Sequence, residues 1–168
     1  MRPRVFIDML RSGQLPVLMA LNGLIKPLYR AWFLSAAASH GVLRRLATGP
    51  LPASRLAEAI GLPPAAAPTF EAWLDLGVYL GDLKRDGQGY SLGSWWSRKL
   101  ADPVHDTAAA ALEEVIRFHQ PAIYGAPAML AAGRRFSLAD QDGALIARAT
   151  RVLEPFVREA IEEALRRA

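Results

Sequence analysis

Residues 50–92 read PLPASRLAEAIGLPPAAAPTFEAWLDLGVYLGDLKRDGQGYSL, and this stretch decides how the rest of the chain is arranged. Pro52 suits a first helical turn, where its fixed φ is already helical and its missing N–H has no intrahelical role. Leu56, Ala57 and Ile60 then form an apolar stripe at i, i+1 and i+4. Gly61 can end that helix in the left-handed conformation with Leu62 folding back on it, and Pro63 and Pro64 bar its continuation. A second helix is predicted over residues 68–76, where Phe70, Trp73, Leu74 and Gly77 recur at i, i+3, i+4 and i+7. Next, Leu83-Lys84-Arg85 and Gly89-Tyr90-Ser91-Leu92 flank Asp86-Gly87, a short-range signal for a hairpin turn. Two helices joined by a short turn and followed by a hairpin make a winged helix. The predicted fold class is therefore mainly α: a winged helix-turn-helix with a small β-hairpin wing and long flanking helices.

The 168 residues suffice for one domain with helical extensions, and at 52% hydrophobic the composition opposes disorder. The chain has no cysteine, so disulfides and cysteine-ligated zinc are excluded and a reducing cytoplasm is the simplest location. Residues 1–10 make a poor signal peptide because Asp8 interrupts the apolar run. Residues 15–38 are largely apolar, but Lys26, Pro27 and Arg30 fall at their centre. Each such charge costs about 2.5–3.5 kcal/mol in membrane insertion. Amphipathic helices packed in a soluble protein fit better, with no membrane partner.

The net charge of +4 raises the question of nucleic acid. Residues 1–50 carry seven Lys/Arg against the single acid Asp8, whereas residues 51–93 carry Arg55, Lys84 and Arg85 against Glu58, Glu71, Asp75, Asp82 and Asp86. The basic excess lies outside the element that would touch DNA. The second helix offers Glu71 and Asp75 to the phosphate field and no base, so no specific nucleic-acid partner is predicted.

The chain divides into three segments. In residues 1–40, a helix over 4–14 carries Val5, Phe6, Met9 and Leu10, a second covers 15–25, and a third is predicted to start at Pro27 and run to about Ser39. Leu28, Trp32 and Ala36 line the third at i, i+4 and i+8, with Phe33 and Leu34 widening the stripe. This is more apolar surface than one small domain requires, which points to a two-fold homodimer with Leu28, Trp32 and Phe33 in its interface. Residues 41–100 hold the winged helix and a short helix capped at Ser94. In residues 101–168, a long helix from about Pro103 is predicted to restart at Pro121 and break at Gly125 and Pro127 before Met129. A loop follows Gly133, and an amphipathic helix from Gln141 onward is expected to kink or split at Pro155.

No catalytic constellation and no metal site emerge. His40, His105 and His119 lack ligand spacing, and Ser35, Ser39, Ser94 and Ser97 lack a G-x-S-x-G context. Glu113-Glu114 and Glu162-Glu163 are adjacent on helices and therefore diverge. Asp86-Gly87-Gln88-Gly89 imitates a glycine-rich nucleotide loop, but such a loop joins a buried strand to a helix, and this one follows Lys84-Arg85 and enters a strand.

Gly41-Val42-Leu43, Gly49-Pro50, the run from Leu56 to Gly61, the run from Trp73 to Val78 and the run from Asp86 to Leu92 carry a family resemblance. Together they resemble the N-terminal domain of class I S-adenosylmethionine-dependent O-methyltransferases, over about residues 28–168. The resemblance implies a dimerisation domain that closes over a substrate pocket. It also implies that S-adenosylmethionine belongs to a following Rossmann-like domain, so no cofactor is expected within these residues. The implied substrate is a small aromatic or natural-product-like molecule. The helices after the wing would wall its pocket, with Phe118, His119, Tyr124, Met129 and Phe136 as the candidate lining, because rings supply area and polar tips fix orientation. The alternative is a winged-helix transcriptional regulator that binds DNA or a small effector.

Overall fold

The structure is a computed structural model describing residues 3–167, with side chains for residues 7–167. The side chains of Val5 and Phe6 lie outside the described residues. Helix α1 (Pro3–Arg11) gives way at Gly13, φ 70°, to α2 (Gln14–Ser39). That α2 is a single helix of 26 residues corrects the predicted start of a new helix at Pro27. Proline there removes the partner of the Gly23 carbonyl, but both residues face solvent, where water can take the place of the lost bond. Phe33, Leu34 and Ala37 of α2 are buried, whereas Val17, Leu18, Leu21, Leu24 and Leu28 are exposed.

A five-residue helix that the sequence reading missed, α3 (Val42–Leu46), follows Gly41 and buries Val42, Leu43 and Leu46. Helix α4 (Ala53–Ala59) ends as anticipated: Gly61 sits at φ 74°, and the Leu62 N–H reaches back to the Ala57 carbonyl at 2.9 Å. A 3₁₀ turn then leads into α5 (Ala67–Leu80), which continues past the predicted end at residue 76 to Gly81, φ 82°. Gly77 stays inside the helix because the Phe33 ring lies on it. A Cβ at that position would come within 2.2 Å of the Phe33 Cζ.

Strands β1 (Leu83–Asp86) and β2 (Gly89–Leu92) pair antiparallel in the register Leu83 to Leu92 and Asp86 to Gly89. The positive φ of the turn falls on Gly89 (124°), while the Asp86 carboxylate accepts the Gln88 N–H at 2.8 Å. Leu51 and Tyr90 exchange both backbone hydrogen bonds, which pins β2 to the segment before α4, and a Cβ on Gly89 would lie 2.4 Å from the Leu51 carbonyl. The main core gathers Phe33, Leu43, Leu56, Leu74, Leu83 and Tyr90 from these elements.

Helix α6 (Trp95–Ala101) opens on a reciprocal cap between Ser94 and Ser97. Helix α7 (Asp106–Glu114) passes through a widened π turn (Val115–His119) into α8 (Gln120–Ala131) without interruption. The predicted break at Gly125 and Pro127 is therefore corrected. The π turn sits directly before Pro121, which lacks the N–H that would otherwise bond the Arg117 carbonyl. Helix α9 (Gly143–Thr150) and α10 (Glu154–Arg167) are separated by a 3₁₀ turn just ahead of Pro155, so the anticipated split is present. A smaller core of Ala110, Phe118, Leu145 and Ala149 holds α9 against α7, and Asp106 and Arg148 bridge the same two helices at 2.8 Å. Among the described residues no helix is long and apolar enough to cross a membrane.

Candidate functional site

The most completely built polar arrangement centres on Asp82, the residue after the Gly81 cap of α5. Its side chain is fully buried. Its backbone N–H bonds the Gly77 carbonyl at 2.9 Å, and its own carbonyl accepts the Gly93 N–H at 2.8 Å. Arg30 of α2 donates to the carboxylate from Nε at 2.9 and 3.1 Å and from Nη2 at 2.8 Å. Ser94 donates its hydroxyl to the same carboxylate while its Oγ accepts the Ser97 N–H at 2.9 Å. One buried carboxylate thus ties α2, the end of α5 and the start of α6 together. The hydrogen bond to Asp82 raises the pKa of Arg30 above its ordinary value against the opposing effect of burial.

Beside this pair, α2, α6 and α7 border an open cleft of about 350 Å³, within the span of roughly 300–1,000 Å³ typical of small-molecule sites. Its walls are apolar (Leu34, Leu100, Ala108 and Leu112), with the ring of Trp96 at one side and Arg30 at another. Trp96 is half exposed and meets Trp95 edge-on at 4.7 Å. The Nη1 of Arg30 has no hydrogen-bond partner among the described residues.

On the opposite side of α5, Arg85 of the hairpin donates to Glu71 at 2.6 Å and to Asp75 at 3.0 Å, and the Tyr90 phenol donates to Asp75 at 2.7 Å. The hydrogen bond from Tyr90 holds the Asp75 carboxyl below the usual carboxylate range. Burial, followed by the hydrogen bond to Asp75, pushes the Tyr90 phenol up to about 12. Arg85 of the hairpin is thus engaged by the two acids of α5.

The sequence-predicted pocket residues are dispersed. Phe118 is buried in the smaller core, and Phe136 packs against that core. His119 is half exposed, 3.7 Å from Glu114, which lies one π turn earlier. Tyr124 is 86% exposed on α8, and Met129 is half-buried with its sulfur near Gly125. Of the interface candidates, Leu28 is exposed, Trp32 is half-buried against Tyr29, and Phe33 is buried between Gly77 and Trp73. Sequence reading missed Arg30, Asp82 and Trp96 as a group, although an arginine inside an apolar helix signals that a partner is needed.

No family model and no curated protein matches the chain. Among solved structures, it is similar to the S-adenosylmethionine-dependent methyltransferase SibL in its apo form, with a TM-score of 0.62 at 18% sequence identity. The likeness covers 83% of this chain and 45% of the SibL chain, so the 168 residues correspond to less than half of that enzyme. The shared property is the fold.

Proposed function

We propose that these residues form the dimerisation and substrate-covering domain of a small-molecule S-adenosylmethionine-dependent methyltransferase, organised around a winged helix. The observation that carries this reading is the fold shared with the methyltransferase SibL over 83% of the chain. The order of helix α4, the turn at Gly61, helix α5 and the β1–β2 hairpin supports the winged-helix reading. The first half of α2 supports the dimer: Leu21, Leu24 and Leu28 follow one another at i, i+3 and i+7, all exposed. Cofactor binding and methyl transfer are assigned to a separate catalytic domain, with residues 116–136 on the substrate side. The capture of Arg85 by Glu71 and Asp75 weighs against the DNA-binding form of the regulator alternative, because it withdraws a wing cation from DNA phosphates.

Light scattering tests the dimer: the protein should run at twice its 18.3 kDa, and Leu24→Glu with Leu28→Glu should return a folded monomer whose melting temperature no longer depends on concentration. Phe33→Glu would not serve, because Phe33 is in the core. A wild-type monomer at high micromolar concentration would refute the dimer. Calorimetric titration of the 168 residues with S-adenosylmethionine should give no micromolar binding, and such binding would place the cofactor site in this domain.

A further inference from the structure

We propose that the cleft between α2, α6 and α7 is a binding site for a small, flat, uncharged ring system bearing one oxygen acceptor, held by the Arg30 guanidinium. This site lies apart from residues 116–136 and stands whether or not the methyltransferase reading holds.

The volume sets the scale of the part of a ligand that the open cleft can cover. A cavity of about 150 Å³ accommodates benzene, so a cleft of about 350 Å³ suits about two fused rings. The walls set its polarity, since Leu34, Leu100, Ala108 and Leu112 reward apolar area and give a second polar group no partner. Trp96, half exposed beside them, offers an aromatic surface against which a ring can stack or meet edge-on.

The ion pair sets the ligand's charge. Arg30 spends Nε and Nη2 on Asp82, while Nη1 remains without a partner among the described residues. Because Asp82 already neutralises the guanidinium, an incoming carboxylate would give up its hydration for a cation whose charge is compensated. It would also approach a second carboxylate. A neutral carbonyl or hydroxyl oxygen accepts the Nη1–H without that cost. Through Pro27 and Ala31 the cleft adjoins the exposed Leu24 and Leu28 of α2, and the Arg30 donor is what distinguishes it from that wholly apolar stripe, which fits a second copy of the chain. The buried Asp82 and the Ser94 cap hold the donor in place before any ligand arrives.

The test titrates the whole chain with 2-naphthol and with 2-naphthoate, following the indole N–H of Trp96 and the backbone amides by NMR. 2-Naphthol should bind saturably, with shifts confined to the surroundings of Arg30, Trp96, Ala108 and Leu112. 2-Naphthoate should bind at least tenfold more weakly. Ala108 is exposed at the cleft, so Ala108→Phe fills it from outside the core and should weaken 2-naphthol binding at least tenfold. The wild-type shift map decides the matter independently, should that variant not fold. The proposal is overturned by any of four results: no saturable binding of 2-naphthol; equal or tighter binding of 2-naphthoate; shifts centred away from the cleft; or loss of a wild-type dimer in Ala108→Phe, which would give the cleft to a second copy.

Discussion

Removing either partner of the Arg30–Asp82 pair should destabilise the protein, and the two removals should not cost the same. Asp82 is fully buried, whereas the Arg30 side chain is 35% exposed. In Asp82→Ala the released guanidinium can rehydrate, and the loss is that of two donor groups plus the Ser94 hydroxyl. Charge-assisted hydrogen bonds contribute about 1.5–3 kcal/mol each, and breaking a buried pair costs about 3–5 kcal/mol. With rehydration this variant should sit at the lower end, about 3 kcal/mol. In Arg30→Met the carboxylate stays buried with Ser94 as its remaining side-chain donor, so the cost should reach the upper end, about 5 kcal/mol. Replacing both by apolar residues, Arg30→Met with Asp82→Leu, leaves no orphaned charge and should be more stable than Arg30→Met alone. Urea denaturation followed by tryptophan fluorescence measures all three, with a constant slope confirming that the midpoint shifts report stability. Two results would refute the reasoning: single variants costing less than about 1 kcal/mol, or a double variant whose cost is the sum of the singles within about 0.5 kcal/mol.

Three further outcomes are expected. Gly77→Ala should cost about 1–3 kcal/mol through overpacking against the Phe33 ring, and Phe33→Leu in the same chain should recover part of it in thermal melts. Asp106, held below the usual carboxylate range by its hydrogen bond from Arg148, contributes stability that is complete above about pH 4 and lost as pH falls through its lowered value. Amide protection factors in α9, taken relative to the intrinsic exchange rate at each pH, should therefore fall on acidification, and fall less in Asp106→Asn. Tyr90, raised to about 12, keeps its proton after the unfolded phenol has lost its own near 10, so stability is intact below about pH 10 and falls between the two values. Tyr90→Phe should remove a phenolate absorbance step near pH 12.

The parts of the fold that the sequence announced are those fixed by neighbours in the chain. Gly61 with Leu62 is a local cap, Ser94 with Ser97 another, and both stand where the residue types place them. Prolines misled because a proline is a stop signal only where its orphaned carbonyl cannot be satisfied. At Pro27 the affected turn faces water, and before Pro121 the helix widens into a π turn. The need for glycine at position 77 of α5 was not legible either, since it depends on a ring 44 positions away, arriving from another helix. The candidate site was the least legible part. Asp82 and Asp86 count identically in a charge tally, yet one is fully buried and the other exposed at a turn, and the partner of Asp82 lies 52 residues away. The aromatic residues from Phe118 to Phe136 show the same limit, because mixed ring chemistry reads alike in a pocket wall and in a core, and two of them pack in the smaller core.

Arg30 did carry a signal, and its meaning changes once the fold is known. In the sequence it counts against a membrane span, as a charge in the middle of an apolar run. In the structure it marks where α2 changes environment. From Phe33 onward the helix buries side chains against α5 and the main core, while Val17, Leu18, Leu21, Leu24 and Leu28 before it remain exposed. A guanidinium at such a border can keep part of its surface in water while its nitrogens satisfy a carboxylate that has none. That division lets one helix serve two purposes. Its second half is committed to the fold of this chain through Asp82, and its first half is left free to pack against another surface. Substitutions on the two halves should therefore separate: those from Arg30 to Ala37 should lower stability at every concentration, and those from Val17 to Leu28 should act only where the protein associates.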